Sequence, residues 1–174
     1  MNTEPMLAAV ADVVEQGKKL LAELDDIAYA TPVAGPFNAS VGQHYRHVLD
    51  HFLCFVEGVK TGCINYDDRR RNQRLEADLA YARVATDNLR HMLEWRLPEA
   101  ARRRCTVRYT VGYGESKPLL IQSTFERELA FCVSHAVHHF AIVRLICAQM
   151  RVSLPVEFGI APSTLNYQAA QVAG

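Results

Sequence analysis

Residues 123–150 read STFERELAFCVSHAVHHFAIVRLICAQM. Phe125, Leu129, Cys132, Ala136, Phe140, Val143 and Cys147 recur every three to four positions, which predicts one long amphipathic helix. Three imidazoles, His135, His138 and His139, interrupt that apolar run. On a wheel of about 100° per residue, His135 and His139 share one flank of the stripe, and His138 points toward solvent or a partner. The fold and the chemistry both depend on what faces this helix.

Working outward, three further segments carry a helical repeat. Pro5–Leu24 has Leu7, Val10, Val13, Leu20, Leu21 and Leu24 on one side. The prolines and glycine of YATPVAGPFN make a connection, and Ser40 follows as an N-cap. The second helix runs to about Val59, with Tyr45, Val48, Phe52, Phe55 and Val56 inward. After the polar stretch TGCINYDDRRRNQR, a third helix spans about Leu75–Arg96, and Pro98 ends it. CTVRYTV alternates like a strand, VGYGESKP supplies turn residues and LLIQS is a candidate partner; a short hairpin and an ordered loop are equally consistent. The tail SLPVEFGIAPSTLNY has Phe158, Ile160 and Leu165 to pack back on the body. The expectation is an all-α fold, one domain over 1–174, built as a four-helix bundle whose long links exclude a simple up-down series.

Composition narrows the functional classes. The chain has 19 Lys+Arg and 19 Asp+Glu, so no global field steers it onto nucleic acid or an anionic membrane. The runs Arg69–Arg71 and Arg102–Arg104 read as solvated surface, with anion binding as the alternative. The same holds for Arg108, Tyr109 and Tyr113 in the segment before the last helix. The acidic start lacks a signal-peptide pattern, and no stretch approaches the ~20 apolar residues of a bilayer span. Five cysteines, an odd number with no CxxC, fit reduced thiols in a cytoplasm. Cys132 and Cys147 read as core residues.

His135 and His139 are i,i+4 neighbours, so two imidazoles can converge on one metal ion. The glutamate of HExxH is replaced by Ala136, which argues against a zincin-type peptidase. The second helix, SVGQHYRHVLDHF, adds His44, His47 and His51 on one side. One of them meeting His135 and His139 would complete a three-nitrogen site with open positions, the layout of catalytic metal centres. The wheel places His44 and His51 nearer the apolar centre than His47, so the residues alone leave that choice open. No Glu-x-x-His occurs, which disfavours a carboxylate-bridged di-iron centre.

His47-Val-Leu-Asp50, SHAVHH and LP-x-x-FGIAPST together resemble the DinB/YfiT-like superfamily of metalloenzymes, over about residues 37–167. The resemblance implies a four-helix bundle with a long crossover between the second and third helices, and His47, His135 and His139 as ligands of a divalent ion (zinc, nickel or iron). It also implies a homodimer and, in members with known activity, thiol S-transfer with a low-molecular-weight thiol. His44, His51 and Asp50 would then support the ligands or their water. The expected function is a mononuclear metal-dependent transferase or hydrolase acting on a small molecule. A metal-binding or sensing bundle without turnover is the alternative, and a purely structural role for the histidines is a third.

Overall fold

The computed structural model describes residues 4–35, 38–100, 102–113 and 117–172. The turn expected over 111–118 and the connection over 29–38 therefore fall partly outside the described residues.

Every helix but the first and the last begins where a side chain satisfies its first free amides. Helix α1 is Glu4–Ala22, and α2 is Asp26–Ala30, where the Asp25 carboxylate accepts from the Ala28 amide at 2.7 Å. Helix α3, Val41–Thr61, opens on a capping box. The Gln43 amide donates to Ser40 Oγ at 3.1 Å, and the Ser40 amide donates to Gln43 Oε1 at 3.0 Å. It closes on Gly62, whose φ of 80° is the left-handed conformation that ends helices.

Strand β1, Cys63–Asn65, follows at once, and then α4, Gln73–Ala77, and α5, Leu79–Ala100. Asp78 divides the helix expected over 75–96: its backbone is extended, and its carboxylate caps α5 through the Tyr81 amide at 2.8 Å. Pro98 lies inside the last turn of α5 rather than terminating it. Strands β2, Arg104–Tyr109, and β3, Leu119–Thr124, precede α6, Phe125–Gln149, and the chain continues to α7, Pro162–Val172.

The all-α four-helix bundle is thereby corrected. The described residues form seven helices and a three-stranded mixed sheet of order β1-β2-β3, which packs on α3 and α6. β1 runs parallel to β2 with Ile64 opposite Val107, and β2 is antiparallel to β3 from Arg104↔Thr124 to Tyr109↔Leu119. Of the two readings open for residues 105–123, the hairpin holds. Its third strand escaped notice because three residues are too few to show alternation; only Ile64 of β1 is buried.

Four long helices do form. α3 packs on α5 and α6, and α1 also packs on α5 and α6, which closes a ring around Leu20, Phe52, Phe55, Leu89, Phe125 and Phe140. Fully burying one such side chain contributes about 1.5–3 kcal/mol. By length and composition alone α6 is long and apolar enough to cross a bilayer, unlike the expectation from sequence. Here its apolar stripe faces α1 and α3. Phe158 of the tail is buried and stacks on Phe140 at 5.0 Å, and Ile160 and Leu165 are half-buried.

Candidate metal centre

The α3–α6 pairing decides the site. Both helices turn a row of imidazoles into the seam between them. His47 Nε2 lies 3.0 Å from His135 Nε2, and the ring centroids of His47 and His139 are 4.4 Å apart. His135 and His139, one turn apart, have centroids 4.6 Å apart. One ligand nitrogen from each of His47, His135 and His139 falls within 4.8 Å of the other two. Nitrogens bonded to a common ion at ~2.1 Å are separated by ~3.0–3.4 Å, so the cluster fits a divalent cation after small rotations of the rings.

The remaining histidines divide by role. His51 is buried behind His47 and His135, and its Nδ1–H donates to the His47 carbonyl at 2.9 Å. That bond fixes its tautomer and leaves Nε2 as the basic nitrogen. His44 Nδ1 lies 3.0 Å from His139 Nδ1. With His139 donating, its Nε2 lone pair is left for an ion, the usual arrangement by which a neighbour orients a metal ligand. His138 is exposed, as its wheel position predicts. Asp50, expected to support the ligands, is instead buried and paired with Arg46 at 2.8 Å, while Arg46 also reaches Glu76 at 3.0 Å.

Electrostatics keep the cluster ready for a cation. Burial, reinforced by the neighbouring rings, pushes His47 down to about 2, His139 to about 3 and His135 to about 4. Burial also lowers His44 and His51. All five are neutral at pH 7, the form in which imidazole carries a lone pair for a metal.

A cavity of about 570 Å³ adjoins the cluster, within the ~300–1,000 Å³ of small-molecule sites. Tyr66 and Phe131 belong to both: Tyr66 stacks on His51 at 5.4 Å, Phe131 stacks on His135 at 5.5 Å, and both line the cavity. Val107, Tyr109 and Ile121 form the opposite wall from the sheet. At its base, buried Glu128 accepts from Ser123 Oγ at 2.6 Å, Arg127 Nη1 at 2.8 Å and the Tyr66 hydroxyl at 3.1 Å. Sequence reasoning missed Tyr66, Glu128 and Phe131, because their importance depends on the sheet that places β2 and β3 over α6. Of the segment proposed for anion contact, Tyr109 lines the cavity. Arg103 instead ties α5 to α3, donating to the carbonyls of Glu99 at 3.3 Å and Val59 at 3.2 Å, and Tyr113 is fully exposed.

No family model matches the chain, and no solved structure matches it. A curated relative, FK506-binding protein 5 of Rhizopus delemar, is 34% identical over 104 residues, which covers 60% of this chain and 27% of that protein. The chain thus spans about a quarter of the length of the relative it matches. These findings correct the resemblance to the DinB/YfiT-like superfamily: the matched relative bears a different name, and a mixed sheet is built into the fold. The motifs behind the resemblance are short. An HxxxH on one helix and a histidine on its neighbour can arise on any pair of packed helices, so the ligand set now rests on the geometry of this chain alone.

Proposed function

We propose that this chain is a mononuclear divalent-metal-dependent enzyme in which His47, His135 and His139 hold the ion and a small electrophilic substrate occupies the adjoining cavity. The observation that carries the reading is the convergence of three neutral imidazole nitrogens within 4.8 Å, at the seam of two long helices. A divalent ion held by three neutral ligands keeps its full charge and supplies Lewis acidity toward a thiol, a water or a carbonyl oxygen. Transfer of a small thiol, or hydrolysis, is the reaction class this supports.

The chain's own residues perform the remaining tasks. Val107, Tyr109 and Ile121 hold the apolar part of the substrate, and Phe131 and Tyr66 seat it against the histidines. His44 orients His139, and His51 packs behind His47 and His135; burial makes both weak bases, so either would carry a proton only briefly.

The test is metal content of untagged protein purified without chelator, for the parent and for His47→Ala, His139→Ala and His51→Ala. About one ion per chain, lost in the first two variants and kept in the third, is the expected result. No ion in the parent after reconstitution refutes the reading. With the ion in place, electrophile–thiol pairs and activated esters are screened, and turnover separates an enzyme from a carrier or sensor. A second reading comes from the relative's name: the apolar cavity would hold FK506 itself. Equilibrium dialysis against FK506 decides that, and no retention of the compound excludes it.

A further inference from the structure

The cavity beside the histidines does not end at Ile121; the register of the hairpin carries it further. Residues opposite one another in an antiparallel pair share a face, and so do alternate residues along each strand. Cys105↔Ser123, Val107↔Ile121 and Tyr109↔Leu119 therefore stand on one side of the sheet. Val111, just past the end of β2, joins them on the cavity wall. Cys105 and Val107 are buried, whereas Ile121 is 43% exposed, Leu119 50% and Val111 61%. From Ser123 to Leu119 the strand advances roughly 14 Å, at ~3.4 Å per residue. The Ser123 end is the deep one, since Ser123 and buried Tyr66 both donate to Glu128 there, at 2.6 and 3.1 Å. The lining is thus an apolar trough, deep beside the histidines and open toward Leu119.

Its polarity narrows what can fill it. Among the lining residues only Arg127 and Glu128 carry charge, and they are bonded to each other at 2.8 Å. The Thr124 hydroxyl accepts from the Arg127 amide at 3.2 Å, and the Gln122 side-chain amide donates to the Thr106 hydroxyl at 3.3 Å. The polar groups at the deep end already satisfy one another. A charged ligand would lose its water there without gaining a counter-ion, which is costly. A neutral apolar body has no such cost. It would also cover Ile121, Leu119 and Val111, and contiguous exposed apolar side chains of this kind mark a binding surface.

Building on the three-histidine reading, we infer that the substrate is an uncharged molecule with an extended apolar body, which lies along the β2–β3 face while its reactive end rests on Phe131 and Tyr66 beside the histidines. The site then selects by length, because each methylene laid in the trough leaves water, and it selects against a formal charge at the inner end.

The experiment uses the full chain, first metal-free and then reconstituted with Co2+, and follows displacement of the neutral fluorophore N-phenyl-1-naphthylamine. The alcohols 1-butanol, 1-hexanol and 1-octanol are expected to displace it with affinity rising about two- to fourfold per added methylene. Octanoate and octylammonium are expected to bind at least tenfold more weakly than 1-octanol. Ile121→Glu is expected to weaken 1-octanol at least tenfold, and Leu120→Glu, on the opposite face of the same strand, to match the parent. A parent that does not bind the fluorophore overturns the inference. So does equal affinity for 1-octanol and octanoate, and so does Ile121→Glu binding 1-octanol as the parent does. Melting curves report folding, and Tyr109→Glu serves where Ile121→Glu does not fold. If the chain takes up no Co2+, the metal reading fails by itself and the metal-free titration still decides what the trough binds. With Co2+ bound, 1-octanethiol is expected to produce a sulfur-to-cobalt absorption band at concentrations at least tenfold lower than ethanethiol. Equal concentrations would refute the placement of the reactive end at the histidines.

Discussion

Without its ion, the histidine cluster is a liability in acid, and its geometry says how large a one. In the unfolded chain an imidazole titrates near 6.5. In the folded chain burial lowers His135 to about 4, His139 to about 3 and His47 to about 2. Between these values the unfolded state binds more protons than the folded one, so stability rises with pH and is lost as pH falls below about 6.5. Each imidazole held neutral contributes about 1.4 kcal/mol per pH unit to that slope. The rings touch one another, so protonating one disfavours the next, and a slope of two to three protons, about 3–4 kcal/mol per unit, is expected from pH 6 down to 5.

A domain of ordinary stability, about 5–15 kcal/mol, would lose much of it within two units. The window lies above the carboxylates: the Tyr81 amide holds Asp78 low, and Lys18 does the same for Asp87. Urea denaturation of chelator-treated protein at pH 7.5, 6.5, 6.0, 5.5 and 5.0 measures the slope. The triple variant His47→Gln, His135→Gln, His139→Gln should flatten it by at least two protons. Parallel lines for parent and variant would refute the argument, because they would show that the cluster protonates as readily folded as unfolded.

Two further outcomes follow from the packing around the site. Gly159→Ala should destabilise by about 2–3 kcal/mol or release the tail, since a Cβ there would lie 2.6 Å from the Phe140 carbonyl carbon and 2.7 Å from the Ala141 nitrogen, at a φ of 68°; melting temperature and limited proteolysis beyond residue 150 report it. Glu128→Gln weakens three charge-assisted hydrogen bonds at the base of the cavity. It should cost about 1.5–3 kcal/mol in denaturant titration and leave metal content at the parent value.

The long helices were legible because each displays its pattern locally. Ser40 announces the start of α3, and Phe125 to Cys147 repeat over enough turns of α6 to be read without a partner. The i,i+4 spacing of His135 and His139 is likewise a property of one helix, and so is the outward direction of His138. What no single helix contains is the relation between helices. The choice of His47 over His44 and His51 depends on the rotation and depth of α3 against α6, which side-chain packing along the whole seam sets; the wheel alone favours the other two.

The sheet was illegible for a related reason. β1 exists because Ile64 finds Val107 more than forty residues away, and three residues carry no periodicity of their own. Asp78 could have been read as a cap, since aspartate is a strong one, but the apolar stripe on either side masked the break. Arg69 shows the limit most clearly. Three consecutive arginines are chemically alike in sequence, and only the fixed loop between β1 and α4 turns one of them, Arg69, back onto the Tyr66 carbonyl. Helix, spacing and residue chemistry are local and were set by the sequence; convergence of groups from separate elements is a matter of distance in space, and only the tertiary structure decided it.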